Sequence, residues 1–135
     1  MEIVSMYNII VFDLDGTLLS SEYKITDYTK KIIQTLYKKR LYLVFATGCH
    51  YLEVLEICND FKITAFMITS NGAKIYNLNR DLIFTCSIKK NIILELLNNI
   101  DLGTDIVMQM YCDDQWYINK INIEKYFFNK ETSFK

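Results

Sequence analysis

Proline is absent from the 135 residues, glycine occurs four times, and histidine and tryptophan occur once each. Turns must therefore be built from Asn, Asp, Ser and the few glycines, with no residue that fixes φ in advance. The single His50 excludes a multi-histidine metal centre. Cys49, Cys58, Cys86 and Cys112 include no Cys-x-x-Cys pair, which argues against structural zinc. The start Met1-Glu2-Ile3-Val4-Ser5 has neither a basic segment nor a small-residue cleavage site, so the thiols are read as free and the location as cytoplasmic. No apolar run approaches the ~20 residues that span a bilayer, and no membrane partner is expected. A formal net charge of -1 gives no global reason to expect nucleic acid.

What is present is an ordinary globular composition, 51% hydrophobic and 23% charged, sufficient for one modest core. Three near-continuous apolar runs, Tyr7 to Phe12, Leu41 to Phe45 and Ala65 to Thr69, have the pattern of parallel strands covered on both faces. Segments of helical period connect them. In the first, Ile32, Ile33, Leu36 and Tyr37 form the apolar stripe, Lys30, Lys31, Lys38 and Lys39 face solvent, and Thr26 or Asp27 is the N-cap. The second places Leu52, Leu55, Cys58 and Phe61 inward, with Glu53 and Glu56 on its polar side. The first 70 residues thus read as β-α-β-α-β, crossing over right-handedly into a doubly wound α/β sheet.

Beyond Asn71-Gly72 the pattern changes. Short strands at Ala73 to Tyr76 and Leu82 to Phe84 flank a turn over 77–81. A helix follows with Ile92, Ile93, Leu96, Leu97 and Ile100 on one stripe. Ile106, Met108, Met110 and Cys112 then alternate as a strand, which turns at Asp113-Asp114 into a return strand, Trp116 to Asn119, ahead of a last helical turn or two over 124–128. The change of pattern puts a boundary near residue 86, dividing the chain into 1–86 and 87–135.

Chemistry is concentrated where the strands end. Asp13-Leu14-Asp15-Gly16-Thr17 directly follows the first apolar run. Two carboxylates separated by one residue project from the same side of an extended chain, and Gly16 lets the backbone turn away behind them. Such a pair can share a divalent cation. A carboxylate whose charge is partly neutralised can attack phosphorus, and a second can pass the proton to the leaving group and later take one from water. Asp13 is the candidate nucleophile, Asp15 the candidate acid and base, and Mg2+ the expected ion, because it takes oxygen ligands and retains several waters.

The second strand ends in Ala46-Thr47-Gly48, which brings a hydroxyl and an approachable backbone amide to the same carboxyl edge, where a following helix N-terminus favours phosphate. Asn71, after the third strand, either orients substrate or makes the turn. His50 is a surface or rim residue on this reading. Asp113 and Asp114 are explained by their turn, and Met108, Met110 and Trp116 by packing.

Asp-Leu-Asp-Gly-Thr-Leu-Leu at 13–19, Phe-Ala-Thr-Gly at 45–48 and Ile-Thr-Ser-Asn-Gly-Ala at 68–73 resemble the haloacid dehalogenase superfamily, and within it the Cof-type phosphatases. With Asp113-Asp114-Gln115-Trp116 added, the chain looks most like bacterial enzymes acting on pyridoxal phosphate and sugar phosphates. The resemblance begins at Met6 and covers nearly the whole chain. It implies a Rossmann-like core followed by an inserted α+β cap, so that 1–86 is the amino-terminal half of the core and 87–135 the opening of the cap. It also implies a Mg2+-dependent phosphatase working through an aspartyl-phosphate on small phosphorylated metabolites. Asp13 and Asp15 would hold the metal, and the Leu14 amide, Thr47 and Gly48 the phosphate. Members of that superfamily carry an Arg after Ala-Thr-Gly, where this chain has Cys49. Their Lys motif and acidic Gly-Asp-x-x-Asn-Asp loop match no segment here, and the remaining core strands are expected to be missing. Impaired activity follows, and the alternatives are a non-catalytic, truncated or decayed fragment, or a module that needs a complementing carboxyl-terminal fragment.

Overall fold

The computed structural model describes residues 7–20, 24–99, 108–112 and 115–118. The chain divides into two compact units, Met1–Ser87 and Ile88–Lys135.

In the first unit, strands β1 (Ile9–Phe12), β2 (Tyr42–Ala46), β3 (Phe66–Thr69), β4 (Lys74–Tyr76) and β5 (Leu82–Thr85) form one sheet in the order β1-β2-β3-β4-β5. β1, β2 and β3 are parallel, with Ile10 opposite Leu43 and Phe45 opposite Met67. β4 and β5 add antiparallel neighbours. The chain is thus the α/β protein expected, with three parallel strands in a Rossmann-like arrangement.

Helices α1 (Asp27–Lys38) and α2 (Tyr51–Phe61) make the two crossovers. Thr26 caps α1 by accepting from the Thr29 N–H at 3.2 Å, which selects it over Asp27. Both helices lie on one face of the sheet. They touch through the Lys30–Asp60 ion pair at 2.7 Å and through the Gln34 amide donating to the Phe61 carbonyl at 2.9 Å. Between them and the sheet is the core: Ile33, Val54, Cys58 and Phe61 from the helices meet Leu43, Phe45 and Met67 from the strands, with Leu14 beside them.

The described crossovers are thus those of one winding of a doubly wound sheet. Both crossovers step in the same direction, and right-handed connections that step the same way leave their helices on the same side. The inward stripes differ in detail from those expected. Ile32 and Tyr37 are exposed, while Val54 is buried. Lys30, expected to be solvated, lies over the Phe61 ring at 5.4 Å from its centroid.

With no proline and little glycine, the chain ends its helices by placing other residues in the left-handed region. Arg40 at φ 62° follows α1, and Lys62 at φ 54° caps α2. A side chain there meets its own carbonyl, at a cost of about 1–2 kcal/mol. Lys62→Gly is accordingly expected to stabilise the fold by about 1 kcal/mol, read as a higher urea midpoint with an unchanged slope. The 77–81 turn is held without glycine as well, by Asn77 Oδ1 accepting from the Asn79 and Asp81 amides at 2.9 Å each.

The second unit contains α3 (Lys90–Asn99) and the antiparallel pair β6 (Gln109–Cys112) and β7 (Gln115–Ile118), with Tyr111 opposite Trp116. These correspond to the helix and two strands expected there. The Asp113-Asp114 turn and the helical turns over 124–128 lie outside the described residues.

Candidate active site

The carboxyl ends of β1, β2 and β3 meet at one sheet edge, and the sequence-identified motifs occupy all three. After β1, Asp13 is still extended (φ -88°, ψ 158°), and the chain then closes a five-residue turn, Leu14–Leu18, in which the Leu19 N–H donates to the Leu14 carbonyl at 2.9 Å. Gly16 takes φ 69° within it, a left-handed conformation that makes the turn anticipated there. Leu14 is 1% exposed and anchors the turn in the core, while Asp13 and Asp15 on either side are exposed. The alternation thus presents both carboxylates to solvent beside each other in the chain. Thr17, to which no role was assigned, donates its hydroxyl to Asp13 Oδ2 at 3.0 Å. Its position four residues after Asp13, across a glycine turn, was the available signal.

After β2, Thr47 is buried and held on three sides. Its N–H donates to the Ile68 carbonyl at 2.9 Å, its carbonyl accepts from the Asn71 N–H at 3.2 Å, and its Oγ1 accepts from the Cys49 N–H at 3.1 Å. Because Oγ1 is the acceptor in that last bond, the hydroxyl proton is left to point elsewhere. Gly48 is exposed at the lip of the loop. A Cβ built on it would lie 3.0 Å from Asn71 Oδ1, a tight contact that the Asn71 side chain would have to relieve. Gly48→Ala should displace the Asn71 amide by a few tenths of an ångström. The expected cost is less than about 1 kcal/mol in stability, read as a small drop in the urea midpoint.

Asn71 itself has φ 55° and Ser70 φ 51°. The Ser70 N–H donates to the Cys49 carbonyl at 3.0 Å, so the third motif is tied by backbone bonds to the second. Asn71 thus makes the turn expected of it, with its side chain beside Gly48 at the same edge. The Cys49 thiol donates to Asp15 Oδ2 at 3.5 Å, which links the second motif to the first. That contact joins residues 34 apart and has no local signature. Burial pushes the Cys49 thiol up to about 11, the Thr47 hydrogen bond opposing this and the carboxylates of Glu53 and Asp15 adding to it. It is therefore a neutral donor at physiological pH. Iodoacetamide at pH 8 is expected to modify the exposed Cys86 well before Cys49, as mass spectrometry of the peptides would register.

His50 is corrected by the structure. It is 6% exposed, not a rim residue, and caps α2: Nδ1 accepts from the Leu52 N–H at 3.4 Å, and Glu53 accepts from the His50 N–H at 2.8 Å in a reciprocal box. A ring this occupied is fixed in place as part of the fold.

The electrostatics of the edge are one-sided. The ion pair among the described residues, Lys30–Asp60, belongs to α1 and α2, and neither Asp13 nor Asp15 has a Lys or Arg within 4 Å among them. Nor do the described residues gather three His, Cys, Asp or Glu side chains into a metal-holding group. The donor chemistry of Asp13 and Asp15, hard carboxylate oxygens exposed to water, nonetheless suits a cation that keeps much of its hydration.

Three parallel strands with their crossover helices, and acidic, hydroxyl and amide groups collected at the strands' carboxyl ends, define a Rossmann-like α/β protein. The family model for haloacid dehalogenase-like hydrolases matches residues 10–135, and the chain belongs to that family. A protein of Buchnera aphidicola subsp. Acyrthosiphon pisum, provisionally named a phosphatase, is 46% identical over 142 residues, covering 96% of this chain and 52% of its own. An HMP-PP phosphatase of Shigella flexneri is 30% identical over 115 residues, covering 85% of this chain and 42% of its own. A crystal structure from Thermotoga maritima superposes with a TM-score of 0.71 at 32% identity, over 89% of this chain and 45% of that one. The chain spans about half the length of the curated relatives it matches.

Proposed function

We propose that this chain carries the nucleophile half of a phosphate-monoester phosphatase, with Asp13 attacking phosphorus and Asp15 moving the proton. The observation that carries this reading is the exposed Asp13 and Asp15 pair flanking a buried Leu14, beside a Thr47-Gly48 loop joined to it by the Cys49–Asp15 contact. In the first half-reaction Asp13 Oδ1 forms a bond to phosphorus, the ester P–O bond breaks, and Asp15 gives its proton to the departing alkoxide. In the second, Asp15 takes a proton from water, whose oxygen displaces the Asp13 carboxylate and releases inorganic phosphate. Thr17 holds Asp13 Oδ2 so that the other oxygen is the one presented. The Leu14 amide, the free proton of the Thr47 hydroxyl and the Gly48 amide are the phosphate donors. Mg2+ would be held by Asp13 and Asp15, and supplies charge neutralisation between two anions when bound.

The substrates on this reading are small phosphorylated metabolites, pyridoxal phosphate or sugar phosphates, in the cytoplasm. The four free cysteines fit a reducing compartment. Residues 1–86 are half of a catalytic core and 87–135 the start of a cap. A complementing carboxyl-terminal segment supplies what the edge lacks. The absence of a cation near Asp13 among the described residues favours a second reading, that the chain alone is a non-catalytic fragment.

One assay separates these readings. The full chain is tested on p-nitrophenyl phosphate and pyridoxal phosphate with Mg2+, alone and mixed with the second half of the Buchnera relative. Turnover in the mixture that EDTA abolishes is expected. A mixture with no turnover selects the fragment.

A further inference from the structure

A cavity of about 390 Å³ opens at the amino ends of the parallel strands, across the sheet from Asp13 and Asp15. Tyr37 and Arg40 line it from the end of α1, Tyr42 and Leu43 from the start of β2, Thr64 from the approach to β3, and Leu78 from the turn between β4 and β5. All of them belong to the first unit. β2 separates this cavity from the Thr47-Gly48 loop by its own length, roughly 15 Å at the usual rise of a strand. The walls are turns held by backbone bonds. Arg40, at φ 62°, donates its N–H to the Tyr37 carbonyl at 2.9 Å, and the Leu41 N–H reaches the Leu36 carbonyl at 3.4 Å, so α1 passes into β2 through a corner occupied by Arg40. On the opposite side, the bonds from Asn77 that hold the 77–81 turn place Leu78.

The lining combines two kinds of surface. Leucine side chains and two phenol rings supply an apolar wall, and the Tyr42 ring is kept in place by Phe66, 6.4 Å away between centroids. The polar groups all donate. The Tyr37 and Thr64 hydroxyls share one hydrogen bond at 3.2 Å; two hydroxyls bring two protons and this bond uses one, so the other is left for a ligand. Arg40 forms no ion pair among the described residues, and no Asp or Glu among them lines the cavity. Its planar guanidinium therefore offers a fork of N–H groups that matches a carboxylate bidentately. Lys38 and Lys39 differ in this respect. They are exposed where α1 ends, a place at which cations offset the helix dipole, and neither lines the cavity.

We infer that this cavity is a binding site for an aromatic carboxylate. The flat ring is taken by the apolar wall, and the carboxylate by Arg40 and the remaining hydroxyl proton. A volume of about 390 Å³, mostly apolar with a few convergent polar groups, is what a small-molecule cleft requires. The charge selects among ligands of that size. One guanidinium balances a monoanion, whereas a phosphate dianion would keep an unmatched charge against apolar walls. A neutral sugar would bring many donors to a lining that itself donates. The site is separate from the phosphatase reading and does not rest on it, since it uses none of Asp13, Asp15, Thr47 or Gly48.

The test is a titration of the full chain with naphthoate, without metal, followed through the amide chemical shifts by NMR. Saturable shifts are expected at Tyr42, Thr64 and Leu78, with a Kd of about 1 mM or tighter. Naphthamide, which keeps the ring and lacks the charge, and acetate, which keeps the charge and lacks the ring, should each bind about tenfold more weakly or worse. Arg40→Met retains the apolar stem and removes the fork, and should weaken naphthoate about tenfold or more. Lys39→Met removes the same charge one residue away and should bind as the unaltered chain does. Leu78→Trp fills the cavity without changing charge and should abolish the shifts, which keeps the test decisive if Arg40→Met fails to fold. The inference is overturned if no saturable shift appears up to about 10 mM, or if the shifts gather at Thr47 and Gly48 instead. It is equally overturned if naphthamide binds as well as naphthoate, if Lys39→Met weakens binding as much as Arg40→Met, or if Leu78→Trp leaves it intact.

Discussion

On the phosphatase reading, Asp13→Asn is expected to lower kcat/KM of the mixture that turns over on the order of 10⁴-fold or more, the scale on which covalent nucleophiles act. The substitution keeps the size and planarity of the side chain. It replaces an anionic oxygen with a carboxamide that has no useful nucleophilicity towards phosphorus. Thr17 can still donate to the retained carbonyl oxygen, as it does to Asp13 Oδ2 at 3.0 Å. Asp13 is exposed and contributes nothing to the core, so the melting temperature should move by no more than a degree or two, in keeping with a surface change of about 0.5 kcal/mol. The two measurements together are diagnostic. A large kinetic loss with unchanged stability assigns the chemistry to this carboxylate. Turnover that survives the substitution within tenfold removes Asp13 from the mechanism.

The order of elements was legible because the physics that writes it is local. Three β-branched runs separated by segments of helical period can form little other than β-α-β-α-β, and the strands fall within a residue or two of those runs. The α1 cap was legible to within one residue, Thr26 or Asp27, because a capping oxygen serves an amide only three residues away. The carboxylate pair was legible for the same reason, since alternation about Leu14 is fixed by backbone geometry over three residues.

What remained hidden depends on contacts between distant parts of the chain. His50 looked like a rim residue because a polar ring after a turn has no sequence mark that says which way it faces. Its capping role appears only when α2 starts at Tyr51 and turns the ring onto its own N-terminus. Cys49 stood out as a departure from the arginine of the superfamily, yet its contact with Asp15 depends on two strand ends meeting. The coverage of the sheet stayed hidden on a related ground. Continuous apolar strands announce that both faces are to be buried, without saying whether the residues at hand do the burying. Ile9, Val11 and Tyr42 match that pattern and are open among the described residues.

Phe45→Ala is expected to be the most destabilising single change in the first unit, costing about 3–5 kcal/mol as large-to-small aromatic substitutions in cores do. Phe45 is 0% exposed and lies on β2, which has a strand on either side. Its ring is tilted at 36° against Phe12, with 5.9 Å between centroids, and its register partner on β3 is the buried Met67. A domain stable by about 5–15 kcal/mol would lose about a fifth or more of that margin. Tyr42→Ala, three residues earlier on the same strand but with its side chain on the uncovered face, should cost less than about 1 kcal/mol. Urea titration of both variants would measure this contrast, and equal losses would contradict the assignment of the two faces. The consequence for the site is direct. Phe45 lies two residues before Thr47, and a cavity beneath that strand end loosens the loop that would have to meet the phosphate.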